Sequence, residues 1–359
     1  MIIDIVKVFL PAVGAFTLGI LITPLLTNYL YSHKMWQKRG GKTTLEGNEA
    51  VIFNKLHKET DENTPRMGGI IIWFSSALVI IGIWLVSQFF PREITLKLDF
   101  LSRNQTWIPL TTLIFGSLIG LINDYLEIQE GKKEGKRGNG LSLKKRLTIV
   151  SIISLAIAFW FYIKLDVVGI GLPFGGGELY LGPIFILLFL LTTLFIYAGG
   201  VIDGIDGLAG GVFTAMFAAY GGIAFYQQQI DLAAFCATVA GGILAFLWFN
   251  IPPARFYMTE TGTMGLTITL TVIAFMTDTL GGGYGLLVLP IIALPLVITV
   301  FSNIIQVLSK KFRGKKVFLV APLHHHFEAI GWPSYKVTMR YWIFSIVCAI
   351  LGISLALIG

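Results

Sequence analysis

The residues of this 359-residue chain that could do chemistry are few, and they lie in short polar strings between apolar runs. Four acids, Asp124, Asp203, Asp206 and Glu260, stand out together with the triplet His324-His325-His326. In Asp203-Gly-Ile-Asp-Gly-Leu-Ala-Gly-Gly211, two carboxylates sit among glycines just ahead of an apolar run. Glycine permits close backbone approach, and a helix start offers unpaired N–H groups at the positive end of its dipole. The combination suits a phosphate. Two aspartates would repel phosphate oxygens unless a divalent cation lay between them, so Mg2+ is the economical inference. The plainer alternative is a tight turn with N-capping aspartates.

The string from Asn250 to Gly262, stiffened by Pro252 and Pro253, adds an amide, a guanidinium, two aromatic rings and a carboxylate. Tyr257 is placed to stack on a nucleobase and Glu260 to reach the metal; interfacial anchoring of the rings is the alternative. Consecutive helical residues fan out by about 100°, so three adjacent imidazoles would not converge on one metal from a helix. The expectation for His324 to His326 is that they hold a phosphate or sugar from a loop.

These groups need a scaffold, and the composition says which kind. The chain is 55% hydrophobic and 13% charged, with a mean hydropathy of +0.77. Soluble domains carry about 25% charged residues, and a chain so poor in charge cannot clothe a globule in water. A membrane-spanning helix needs about 20 mostly apolar residues. Ten such windows are expected, from Val8–Tyr31 to Val337–Ile358, with Trp107–Leu121 and Met264–Thr277 short and Leu286–Leu308 the ninth. All but five of the 27 lysines and arginines (Lys7, Arg92, Lys97, Arg103 and Lys164) fall in or beside the loops after odd-numbered spans. That asymmetry places those loops in the cytoplasm and both termini outside. The net charge of +7 therefore marks cytoplasmic loops, and no nucleic-acid partner is expected.

The expected fold is all-α: a polytopic membrane protein with about ten transmembrane helices, forming one domain over residues 1–359. Lys7 precedes an apolar run too long for a signal segment, so the first span is read as retained. Cys236 and Cys348 lie in apolar stretches and suggest neither a disulfide nor a thiolate metal site. Glu130 to Gly140 reads as a charged, solvated linker. The four acids and the histidines come from separate loops on one side, which points to a site at the membrane–cytosol boundary.

In this order, the strings resemble the polyprenyl-phosphate N-acetylhexosamine-1-phosphate transferase superfamily and, within it, the phospho-N-acetylmuramoyl-pentapeptide transferases. Thr64-Pro-Arg-Met-Gly-Gly69 is similar to the family's T-P-T-M-G-G, and Gly120-Leu-Ile-Asn-Asp-Tyr-Leu126 to its G-x-x-D-D-Y. Asp203 to Ala209, Phe246-Leu-Trp-Phe-Asn250, Gln306 and Ala321-Pro-Leu-His-His-His-Phe-Glu328 follow. The last run is specific to the muramoyl-pentapeptide branch. The resemblance implies Mg2+-dependent transfer of phospho-MurNAc-pentapeptide from UDP-MurNAc-pentapeptide to undecaprenyl phosphate, at the inner membrane of a bacterium, with release of UMP. It implies catalytic roles for Asp124, Asp203 and His324 to His326, and a metal held by Asp203 and Glu260. Gly204, Ile205, Asp206, Asn250, Tyr257 and Gln306 would contact substrate; a homodimer is left open.

Five departures from the family pattern bear on that reading. Asn123 stands at the first aspartate of the pair, removing a proposed base. Glu260 replaces a metal-binding aspartate and Tyr257 a phenylalanine, while Tyr197 and Gly200 stand where asparagines are usual. The rivals are a UDP-GlcNAc-using relative, a lipid transporter, and a binding paralogue without turnover.

Overall fold

The computed structural model describes residues 2–37, 54, 63–102, 105–132, 138, 140–173 and 175–358. The chain is an all-α polytopic membrane protein. Its helices are α1 (Ile2–Ser32), α2 (Ile70–Phe89), the short α3 (Glu93–Leu98), α4 (Trp107–Lys132), α5 (Leu143–Lys164), α6 (Ile184–Ala198), α7 (Leu208–Tyr226) and α8 (Ile230–Asn250). They continue with α9 (Thr259–Met276), α10 (Gly285–Ile292), α11 (Leu294–Arg313), the short α12 (Leu323–Ala329) and α13 (Ser334–Ile358). Among the described residues, nine helical segments are long and apolar enough to cross a membrane. Outer helices such as α1 and α13 leave Phe9, Leu25, Ile343 and Leu351 exposed, as a lipid solvent allows.

The eighth expected span is α9, which is long enough but does not reach that apolarity. The reason is its position: every residue from Thr261 to Met276 is buried inside the bundle, so protein rather than lipid surrounds it. Three of its threonine hydroxyls, those of Thr263, Thr267 and Thr271, are satisfied by carbonyls of the helix itself. Thr267 donates to the Thr263 carbonyl at 2.7 Å and Thr271 to that of Thr267 at 3.1 Å.

Close backbone contact fixes α4 against α9. A Cβ built on Gly120 would meet the Glu260 carbonyl oxygen at 2.0 Å, and one on Gly265 the Ser117 Oγ at 2.1 Å. Only glycine allows this approach, and small residues of this kind are the usual means of packing helices in a membrane. The third expected span also turns out to be the start of a longer helix. α4 continues past Leu121 to Lys132, so Asp124 sits on a helix wall rather than in a loop.

Two further features depart from the sequence reading. The ninth span is not continuous: α10 ends at Ile292 and α11 begins at Leu294, with Pro295 in its first turn. Proline cannot donate the backbone bond that would continue the helix. A small antiparallel hairpin also precedes α6, pairing β1 (Gly169–Leu172) with β2 (Gly177–Tyr180), Ile170 opposite Leu179. Asp278, in the turn after α9, anchors it by accepting from the Gly171 amide at 2.7 Å and the Leu286 amide at 2.9 Å.

Candidate active site

Thr259 is the residue on which the site is built. Its backbone takes a left-handed conformation, φ +55°, costly for a β-branched residue and tolerated where surroundings over-determine it. In that pose its amide donates to Asp203 Oδ2 at 2.7 Å while its hydroxyl donates to Asp124 Oδ2. Asp124, fully buried, also accepts from the Thr261 amide at 2.8 Å and from the Thr261 hydroxyl. Two acids with α5 and α6 between them in sequence are thereby joined through one residue. The strip before α2 clamps the same loop: the Tyr257 amide donates to the Pro65 carbonyl at 2.9 Å and the Gly68 amide to that of Tyr257 at 2.8 Å.

The aspartate loop is held from two sides. Asn250 accepts from the Gly207 amide at 2.9 Å and donates to the Phe256 carbonyl at 2.8 Å, tying the end of α8 to the start of α7. Asp206 Oδ2 accepts from the Ala254 amide at 3.0 Å. From α13, the Thr338 hydroxyl donates to the Asp206 carbonyl and the Trp342 indole to that of Gly207, each at 3.0 Å. Ile205 is buried, and Tyr257 is half-buried beside the buried Phe256.

The histidines stand on α12, not in a loop as the sequence reading expected. Helical fanning separates them as the 100° rule requires. His324 and His325 turn inward and are buried, and a Cβ on Gly204 would meet the Nε2 of each at 2.7 Å. His325 Nδ1 pairs with Glu328 Oε2 at 2.7 Å, and Ser334 donates to the other Glu328 oxygen at 2.6 Å. His326 points elsewhere, its Nδ1 accepting from the Leu319 amide at 3.2 Å. Gln306 is engaged with that same connection: its Oε1 accepts from the Val317 and Phe318 amides, and its Nε2 donates to the Phe318 carbonyl.

The remaining expected acid, Glu260, is next in the chain to Thr259 but faces another way. Its carboxylate forms an ion pair with Arg146, in the first turn of α5, and accepts from the Tyr197 hydroxyl at 3.3 Å. Asn123 donates to Asp124 Oδ1 at 3.3 Å and accepts from the Leu141 amide at 3.0 Å, so the amide works as a clamp between α4 and the segment leading into α5.

A protein-family model for glycosyl transferase family 4 matches residues 106–278. The chain is 32% identical to a phospho-N-acetylmuramoyl-pentapeptide-transferase of Anoxybacillus flavithermus, over 97% of each chain. It is 31% identical to one of Listeria innocua, over 83% of this chain and 86% of that one, and 30% to one of Lactobacillus acidophilus, over 96% of both. The chain belongs to the phospho-N-acetylmuramoyl-pentapeptide-transferase family. It is a membrane transferase.

Membership makes a metal the natural question for the acids of this pentapeptide-transferase fold. Among the described residues no three His, Cys, Asp or Glu side chains are arranged to hold an ion by themselves. The donor chemistry nonetheless fits Mg2+, which takes hard oxygen ligands and is commonly held by one or two carboxylates plus substrate phosphates and water. Asp203, oriented by the Thr259 amide, fits that part. Glu260, expected to share the ion with it, is engaged instead by Arg146 and Tyr197.

Asp203, Gly204, Asp206, Asn250, His324 and His325 are thus brought together, with Asp124 behind them; Gln306 and His326 organise the adjoining connection. Arg146, Thr259, Thr261 and the Arg66–Glu127 pair, at 2.6 Å, were not singled out from sequence. Arg146 sits in a basic run that reads as loop charge, and its partner lies 114 residues away. For Thr261 and Glu127, helical spacing was the available signal. Glu127 is three residues beyond Asp124 and so lies on the same face of α4.

Proposed function

We propose that this transferase moves phospho-MurNAc-pentapeptide from UDP-MurNAc-pentapeptide to undecaprenyl phosphate, giving lipid I and UMP, with Mg2+ as cofactor. Its site would face the cytoplasm at a bacterial inner membrane. The observation that carries this reading is the meeting of the Asp203–Asp206 loop with His324 and His325 at Gly204. Carboxylates for a cation and imidazoles for phosphate oxygens then stand on either side of one backbone strand, as a pyrophosphate donor requires. The metal's contribution when bound is charge neutralisation on the pyrophosphate and the leaving nucleotide.

Asp203 would hold the cation, kept in orientation by the Thr259 amide. Asp206, Asn250 and Tyr257, with the backbone of Gly204 and Ile205, form the uridine side. His324 and His325 bind the pyrophosphate or the muramoyl portion, with His325 oriented by Glu328. Glu260 keeps Arg146 beside the acids and so tempers their collective negative charge. Asn123 offers no base at neutral pH, and the acceptor attacks in line as its phosphate dianion, which needs little help.

Purified protein given both substrates and Mg2+ should release UMP, and Asp203→Asn should lower the rate at least about 100-fold. Release with UDP-GlcNAc in place of the muramoyl donor would move the chain to the GlcNAc-using branch. Lipid or solute movement in liposomes without UMP would replace the transferase chemistry with transport.

A further inference from the structure

A cavity of about 280 Å³ between α11, α12 and α13 has no part in the roles above. Its walls are apolar: Ile298 of α11, Leu323 and Phe327 of α12, and Phe344 of α13. None of the acids or histidines of the site lines it. Its mouth is basic. Arg340 lines the cavity and sits 4.1 Å from the centroid of Trp332, and Lys336 lies 5.3 Å from the same ring. Trp332 is itself stacked on Phe327 at 4.8 Å. Lys336 and Arg340 are one helical turn apart, on one face of α13. Neither makes an ion pair among the described residues. The last turn of α11 adds Lys310, Lys311 and Arg313 to the same end of the bundle.

The depth of the groove matches an amphiphile. α13 starts at Ser334; Arg340 lies about 9 Å along it and Phe344 about 15 Å, at 1.5 Å per residue. A basic, aromatic mouth therefore leads down to an apolar floor, the profile of a headgroup region passing into hydrocarbon. One polar group is buried in the wall. The Tyr341 side chain is 8% exposed, and its hydroxyl has no hydrogen-bond partner among the described residues. An acceptor oxygen entering with an apolar chain would supply one.

We propose that this groove binds an anionic glycerophospholipid, one acyl chain between α11, α12 and α13 and the phosphate held by Arg340 and Lys336. The ester carbonyl accepts from Tyr341. The histidine helix separates this lipid from the transfer site: His324 meets Gly204 on one side and the Tyr341 ring, 6.3 Å between centroids, on the other. An occupant braces α12 from behind and keeps His324 and His325 against the aspartate loop.

The test uses the full-length protein in phosphatidylcholine vesicles with brominated chains on either phosphatidylglycerol or phosphatidylcholine. Quenching of Trp332 is read as the difference between the wild type and Trp332→Phe. Brominated phosphatidylglycerol should quench at a mole fraction roughly 30-fold below that of brominated phosphatidylcholine, as two surface cations imply. Lys336→Gln with Arg340→Gln should abolish the preference, and Lys336→Arg with Arg340→Lys should keep it. Equal quenching of the wild type by the two lipids overturns the proposal. So does displacement of brominated phosphatidylglycerol by undecaprenyl phosphate at mole fractions where unbrominated phosphatidylglycerol has no effect, which would make the groove the acceptor's. Mass measurement of the intact wild-type protein needs no variant: it should retain phosphatidylglycerol over phosphatidylcholine, and retention of neither also overturns the proposal. All of these read binding, so they fail separately from the transfer reaction.

Discussion

Thr259 concentrates three functions in one side chain and one amide. It fixes Asp203, anchors Asp124, and accepts from the Met67 amide at 3.2 Å, all from a left-handed backbone. Thr259→Gly should release strain of the order of 1 kcal/mol while cutting the hydroxyl link, so thermal stability changes little and the transfer rate drops about tenfold. Thr259→Ser keeps the hydroxyl without the branched methyl and should retain the rate; a glycine variant as active as wild type would deny the link any role. Arg146 and Glu260 are each less than a third exposed, so removing one leaves the other poorly solvated. Arg146→Gln should lower stability by up to about 3 kcal/mol. The Arg146→Gln, Glu260→Gln double variant should recover part of that loss, a coupling of about 0.5–3 kcal/mol in a thermal-unfolding cycle. Strict additivity would mean the pair contributes nothing.

At the scale of elements, what could be read from sequence followed how local each signal was. The Asp203–Gly211 string carried its aspartates, glycines and helix start within nine residues, and it is the loop to which the histidine helix and α13 attach. Apolar windows located α1, α2 and α5 to α8 well, because lipid and core both demand apolar side chains there. The same windows cut α4 short at Leu121, since its last turns carry polar and charged residues while staying helical. The break at Ala293 and the β1–β2 hairpin were hidden by uniformly apolar or glycine-rich composition. Asp278 belongs to none of the strings singled out from the sequence. In the structure burial pushes its carboxyl up to about 6, against the pull of amides from Gly171, Leu286 and Thr279 and with Glu178 adding to the rise. Its folded value exceeds the unfolded 3.8, so the stability linked to it is full below about pH 4 and is lost as pH rises to about 6, of the order of 3 kcal/mol. Asp278→Asn should flatten that part of the unfolding-midpoint profile between pH 4 and 6; an unchanged slope would assign it to other groups.

For the whole molecule, the positive-inside asymmetry makes a direct statement about sidedness. A cysteine in place of Glu178, on the hairpin, should react with a membrane-impermeant maleimide in intact cells, and one in place of Lys315 only after permeabilisation. The native Cys236 and Cys348 are buried and leave a low background. The reverse pattern would invert the topology and put the aspartate loop on the wrong side for a nucleotide-sugar donor. One architectural fact also reaches into biogenesis. α9 carries the hub of the site on a segment whose partition into hydrocarbon is weaker than that of its neighbours, because its surroundings in the finished bundle are protein. Such a segment cannot be settled in the bilayer one helix at a time during synthesis. It depends on α4 and α6, which precede it in the chain and pack against it, so the machinery that threads this chain must keep those helices at hand when the half-polar segment emerges.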